Sequence, residues 1–175
     1  AGQKGFDILC EALDGIFEAG ARLVILGTGE EVFQHALTAA QAKYPRSLGL
    51  KIAFDEALSH KIYAGCDMFL IPSRYEPCGL TQMYALKYGT IPVVRSTGGL
   101  EDTIQEYNAA AMTGNGFKFS DYSADGLLGA LRKAVATYRL PVRWRALIQT
   151  AMASDFSWDR SAREYIRLYQ KISSA

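Results

Sequence analysis

Apolar residues along the chain switch repeatedly between two spacings. Phe6, Leu9, Cys10, Leu13, Ile16 and Phe17 recur every three or four residues, which marks one face of a helix over residues 6–19. Gly20 follows, at the position where helices commonly stop. Residues 22–26, RLVIL, read as a buried strand closed by Gly27-Thr28-Gly29. The alternation continues with a helix over 30–43, a loop holding Pro45, a strand over 50–54, a helix over 56–64 and a strand over 67–71. A loop at 72–78 opens a helix over 79–88 that Gly89 stops, and residues 91–95 form a further strand. After a turn at 96–99 come a short helix over 100–106 and a weak strand near 116–119. The remainder is helical over 123–139, 142–153 and 157–172, interrupted at Pro141 and at 155–157. On the last helix Trp158, Ala162, Tyr165, Ile166 and Tyr169 form an apolar stripe, read as a packing surface.

Strands alternating with helices imply βαβ units. The expected fold is therefore α/β: a doubly wound, Rossmann-like parallel sheet in one domain over residues 1–175. Ligands of such folds sit beyond the carboxyl ends of the strands. That directs attention to the loops at 27–29, 54–56, 72–78 and 96–99. The helix over 6–19 has no strand before it, whereas such folds normally open with a central strand. A fold lacking its first strand, with a gap in the sheet, is the expectation.

Composition narrows the function. A hydrophobic content of 49% fits a globular domain with a sizeable core. Nineteen Lys+Arg against eighteen Asp+Glu leave a net charge of +1, which argues against a nucleic-acid binder working through a basic face. No uncharged apolar run approaches the roughly 18 residues that cross a bilayer, so no membrane partner is expected. The first residues carry no apolar core of a secretory signal. Cys10, Cys66 and Cys78 are odd in number and far apart, with no CxxC and no zinc spacing; they read as free thiols of a cytoplasmic protein.

The most informative segment is PSRYEPCGLTQ at 72–82. The backbone N–H groups of Cys78, Gly79, Leu80 and Thr81 stand at a helix start, where unsatisfied donors and the helix dipole suit a phosphate. Gly79 admits close backbone approach. A carboxylate beside a phosphate repels it, so Glu76 suits a sugar hydroxyl or a developing cation. On this local pattern alone, a plain loop with a solvated Glu76 and Gly79 at a helix start is the slightly favoured reading. Gly27-Thr28-Gly29 is followed by Glu30 and Glu31, which favours a structural turn. His35 and His60 have no visible acid or base partner, and Arg74 and Arg95 read as surface cations or cleft residues.

Ser73 to Gly99, SRYEPCGLTQMYALKYGTIPVVRSTGG, closely resembles the bacterial glycogen synthase and starch synthase family, and Gln3-Lys4-Gly5, Leu26-Gly27-Thr28-Gly29 and ALSHKI at 57–62 match it too. The resemblance covers nearly the whole chain, in order. It implies the C-terminal, nucleotide-binding domain of a retaining glycosyltransferase of the glycosyltransferase B fold. Such an enzyme passes glucose from ADP-glucose or UDP-glucose to the 4-hydroxyl end of an α-1,4-glucan. It assigns Glu76 to the donor glucose and Lys4 to the diphosphate, both as catalytic groups. It gives the distal phosphate to Cys78, Gly79, Leu80 and Thr81, the nucleobase to Phe54, and the donor-site lining to Thr97, Gly98 and Gly99. Bare pattern leaves Phe54 equally a core residue at a strand end, and the two glycines equally a tight turn.

No Asp-x-Asp motif occurs, so neither a metal nor another cofactor is expected; Lys4 and the helix start would balance the leaving diphosphate. Retention would come either from a two-step route through a carboxylate or from attack on the same face. Many retaining relatives carry a second Glu eight residues after the first; here Tyr84 stands there, which favours a glucan synthase. The family's arginine before Gln3 and its N-terminal acceptor domain lie outside this sequence, so the chain alone is expected to be nearly inactive. The alternative is a non-catalytic nucleotide- or glucan-binding module. A dinucleotide oxidoreductase is disfavoured, since no GxGxxG follows the first strand.

Overall fold

The computed structural model describes residues 2–173. A 3-10 turn, Gly2–Lys4, leads into α1 (Phe6–Glu18), β1 (Leu23–Gly27), α2 (Glu31–Lys43), β2 (Leu48–Ile52), α3 (Glu56–Gly65) and β3 (Met68–Ile71). Then follow α4 (Thr81–Tyr88), β4 (Ile91–Arg95), α5 (Gly99–Thr103), β5 (Phe117–Phe119), α6 (Ala124–Tyr138), α7 (Pro141–Met152) and α8 (Trp158–Ser173). All pairings between these strands are parallel. The architecture is the doubly wound α/β layer that the alternating pattern implies.

Among the described residues the sheet is in two pieces. β1 pairs with β2, and β3–β4–β5 form a separate sheet. Leu23 N–H donates to the Ser47 carbonyl, so the polar groups of Val24 and Leu26 face the opposite, unpaired edge. On β3, the Asp67 carbonyl accepts from Ile91 N–H, which leaves Met68 and Leu70 facing its open edge. The expected gap is present. What holds the halves together is α1, whose stripe of Ile8, Leu9, Ala12, Leu13 and Ile16 is buried. This helix contacts α2 beside the first sheet and α6 beside the second. Truncating Ile16 to Ala would cost about 2–5 kcal/mol, as for other buried aliphatics.

β4 lies at the centre of its sheet, and Ile91, Val93 and Val94 are fully buried, as expected for a parallel strand covered on both faces. The open-edged β1 instead leaves Val24 exposed.

Four elements differ from the pattern reading. β2 begins and ends two residues earlier, which puts Phe54 beyond the strand rather than in its core-facing end. α4 begins at Thr81, because Gly79 turns through the left-handed region at φ 68° and no helix can pass through it. α5 is shorter, ending at Thr103. The stripe on α8 packs on nothing among the described residues. Trp158 is 88% exposed, and Tyr165, Ile166 and Tyr169 are exposed too. Periodicity marks which face of a helix is apolar but not whether a partner lies within reach. No helix among the described residues is long and apolar enough to cross a membrane.

Candidate active site

The loop between β3 and α4 forms the floor of the site. Its central carboxylate, Glu76, is 6% exposed. Ser73 Oγ donates to Glu76 Oε2 at 3.1 Å, and Lys4 Nζ donates to the same oxygen at 2.6 Å. A buried carboxylate without such partners would be strongly disfavoured. The Lys4 side chain is half exposed, so its ammonium also reaches the open side of the loop.

Backbone docking brings Lys4 there. Arg74 N–H donates to the Gln3 carbonyl at 2.8 Å, and Gln3 Nε2 donates to the Tyr75 carbonyl at 3.1 Å. At Gly5 a side chain would run into the Pro72 carbonyl. The Gln3-Lys4-Gly5 motif is therefore seated directly on residues 72–75, at the carboxyl end of β3.

A second loop presses on the first. Gly99 N–H donates to the carbonyls of Glu76 and Pro77, at 3.0 and 3.1 Å. A Cβ at Gly98 would strike the Glu76 carbonyl, and one at Gly99 the Cys78 carbonyl. Gly98 also has φ 48°. Two glycines are required because two backbones meet, so the structure makes this pair a brace under the Glu76 loop rather than a plain turn. Thr97 precedes them, half-buried, at the end of β4.

Cys78, Gly79 and Leu80 lie in the loop before α4, and only Thr81 belongs to the helix. Cys78 and Leu80 are exposed. Among the described residues the N–H groups of Cys78, Gly79 and Leu80 donate to no backbone acceptor. Gly79 is needed for its left-handed turn and because a Cβ would meet the buried carboxamide of Gln82 at 2.5 Å.

Phe54 is 89% exposed. It is held in place by its neighbour: Asp55 caps α3 by accepting from Leu58 N–H at 2.9 Å, and its other oxygen pairs with Lys51 at 2.7 Å. Phe54 lines a cavity of about 530 Å³ with Gly27, Ser59, His60, Tyr63 and Tyr84. This cleft opens at the carboxyl ends of β1 and β2, where doubly wound sheets bind ligands. Tyr63, stacked on Tyr88, forms its aromatic back wall. His60 is exposed and shares a hydrogen bond with Tyr88 Oη, and His35 is exposed.

The arginines brace the loop from below. Arg74 stacks on the Tyr122 ring at 4.1 Å and pairs with Asp7 at 3.1 Å. Arg95 donates to the Arg74 carbonyl at 2.6 Å and to the Ser120 carbonyl at 3.2 Å. Tyr122 Oη donates to Asp7 at 2.5 Å. Burial pushes the Asp7 carboxyl up, but hydrogen bonds from Tyr122, the Ile8 N–H and Arg74 outweigh it and hold it below its ordinary 3.8. Sequence reading missed Ser73, Gln82, Thr103 and Tyr122. Gln82, Thr103 and Tyr122 act through main chain or through partners distant in sequence, where spacing offers no signal. Ser73 lies three residues from Glu76, but nothing in the spacing says that the loop turns its hydroxyl onto the carboxylate.

The site thus joins a buried carboxylate, a half-exposed ammonium, outward N–H donors before a helix and an aromatic cleft. Comparisons with known proteins place the chain within a family. The family described as "Glycosyl transferases group 1" matches residues 1–149. The glycogen synthase of Fervidobacterium nodosum is 50% identical over 98% of this chain, and that of Thermosipho melanesiensis is 51% identical over 98%. The chain spans about a third of the length of these relatives, 36% in each case. The catalytic domain of starch synthase IV from Arabidopsis thaliana, bound to ADP and acarbose, superposes with a TM-score of 0.86 at 36% identity, over 100% of this chain and 37% of that one.

Proposed function

Since the chain belongs to the glycosyl transferases group 1 family, we propose that it is the donor-binding part of a glucan synthase. It holds a nucleoside diphosphate glucose, ADP-glucose foremost, while glucose passes with retention to the end of an α-1,4-glucan. The observation that carries this reading is the Lys4–Glu76 pair at the carboxyl end of β3, seated beside the N–H donors that precede α4. The likeness to a starch synthase domain bound to ADP supports the nucleotide. The acceptor site belongs to the part of the relatives that this chain does not span.

Transfer breaks the bond between the anomeric carbon and the distal phosphate, and the phosphate keeps the electron pair. Positive charge grows on the sugar carbon and negative charge on the phosphate. Glu76 stabilises the first, and its fixed position in the loop means that no reorganisation is required at the moment of reaction. Lys4 and the N–H groups of Cys78, Gly79, Leu80 and Thr81 neutralise the second. Phe54 offers its exposed ring to the nucleobase, with Tyr84 across the cleft. The acceptor hydroxyl bonds to the anomeric carbon on the face the phosphate leaves and gives its proton to the departing phosphate oxygen. Charge balance at the diphosphate comes from the protein, without a metal.

Calorimetry with ADP tests the binding half: heat at millimolar ADP, lost in Lys4→Ala, is expected, and no heat from the wild-type chain overturns it. The catalytic half is tested by grafting this chain onto the remaining part of a related glycogen synthase. Transfer from ADP-glucose to glycogen, abolished by Glu76→Ala, is expected; binding without transfer would identify a non-catalytic module.

A further inference from the structure

Gln82, the second residue of α4, is 0% exposed, and its carboxamide sits under the loop that precedes the helix. Its Nε2 donates to the Cys78 carbonyl at 3.1 Å, the Gly79 carbonyl at 3.0 Å and Thr103 Oγ1 at 3.2 Å. Thr103 Oγ1 in turn donates to the Gly99 carbonyl. Two carbonyl acceptors fix which end of the amide is nitrogen. The other end, Oε1, is buried with no partner, and it lies where a side chain at Gly79 would be. A buried acceptor left unpaired is uncommon in folded proteins. It persists here because the nitrogen end is held by three acceptors at once.

The peptide plane gives this arrangement its consequence. Within one trans peptide unit, C=O and the following N–H point in opposite directions. Gly99 N–H draws the Pro77 carbonyl inward, so the Cys78 N–H is turned outward. Gln82 draws the Cys78 and Gly79 carbonyls inward, so the N–H groups of Gly79 and Leu80 are turned outward as well. Three successive donors therefore face the same way, a concave array suited to an anion.

We infer that Gln82 is the positioning residue of the diphosphate site: with Thr103 it anchors the carbonyls of Cys78 and Gly79 and so aims the N–H donors at the distal phosphate. This rests on the donor-binding reading above. Gln82 itself, wholly buried, does not touch the ligand.

The test compares adenosine, AMP and ADP by calorimetry on this chain. The wild type is expected to bind ADP more tightly than AMP, because only ADP carries the distal phosphate. Gln82→Met keeps the side chain's length and removes its donors. Its preference for ADP over AMP should fall by about tenfold, the usual weight of a hydrogen bond to a charged group, with adenosine binding unchanged. Thr103→Val should lower the same preference, and Thr103→Ser should restore it; this pair decides the matter if Gln82→Met does not fold. An undiminished preference in a folded Gln82→Met, or in both Thr103 variants, overturns the role of Gln82 alone. Equal binding of ADP and AMP by the wild-type chain overturns the donor-site reading and this inference with it.

Discussion

The ammonium of Lys4 lies 2.6 Å from a carboxylate oxygen of Glu76, although the two residues are 72 positions apart. They meet because Gln3-Lys4-Gly5 hydrogen-bonds along residues 74–75 and packs on Pro72. The pair therefore belongs to the junction between the start of α1 and the end of β3, not to either segment alone.

That junction separates catalysis from stability. In the grafted enzyme Glu76→Gln should lower kcat by about 10²–10³-fold while ADP affinity changes little, since the carboxylate acts on charge that appears only during transfer. Initial rates with glycogen and calorimetry give the two numbers. A comparable loss in both would make Glu76 a binding residue.

Removing Lys4 takes the ammonium from a buried carboxylate that keeps its hydrogen bond from Ser73 Oγ. Lys4→Met should lower stability by about 1–2 kcal/mol, less than for a wholly buried pair because the lysine is half exposed. The double variant with Glu76→Gln should recover most of that loss. Urea unfolding of the four proteins completes the cycle, and additive losses would show that the two groups do not interact.

Phe54 is almost fully exposed, so its ring is available to a ligand at little cost to the fold. Phe54→Ala should change stability by no more than about 0.5 kcal/mol. ADP affinity should fall about tenfold, the scale of one base stacked on an aromatic ring. Thermal melting and titration read these separately, and unchanged affinity would remove Phe54 from the site.

Asp7 links pH to the loop under the site. Its folded pKa lies below the ordinary 3.8. Its stabilising contribution is thus complete above the unfolded value and is lost as pH falls through the folded one. Between about pH 5 and pH 3 the melting temperature should fall less steeply in Asp7→Asn than in the wild type. Parallel slopes would assign the acid sensitivity to other carboxylates.

The open edges of β1 and β3 make a further measurable difference. Adding a six-residue Val/Ile segment ahead of Ala1 should slow amide exchange at Val24, Leu26, Met68 and Leu70, whose N–H groups face those edges. The same segment interrupted by proline should not, because proline cannot complete the ladder. Equal exchange in all three chains would mean that no strand enters between the half-sheets.

Periodicity alone determined most of the elements. The stripe of α1, the apolar runs of β1 and β4, and Gly89 after α4 are local features set by side-chain spacing and backbone freedom. The segment around Glu76 was legible locally only as a loop that opens a helix; its roles came from the resemblance, because spacing by itself equally describes a plain loop. The break between β1 and β3 was also legible, from a helix with no strand before it. Tertiary structure decided the rest. It moved Phe54 out of the core by ending β2 at Ile52, and it made Gly98 and Gly99 a brace because another backbone lies against them. It left the stripe of α8 bare, and it brought Lys4 and Thr103 to the loop that holds Ser73 and Glu76. These outcomes depend on hydrogen bonds and close approaches between segments remote in sequence. Residue spacing along a single chain carries no information about which backbones will meet.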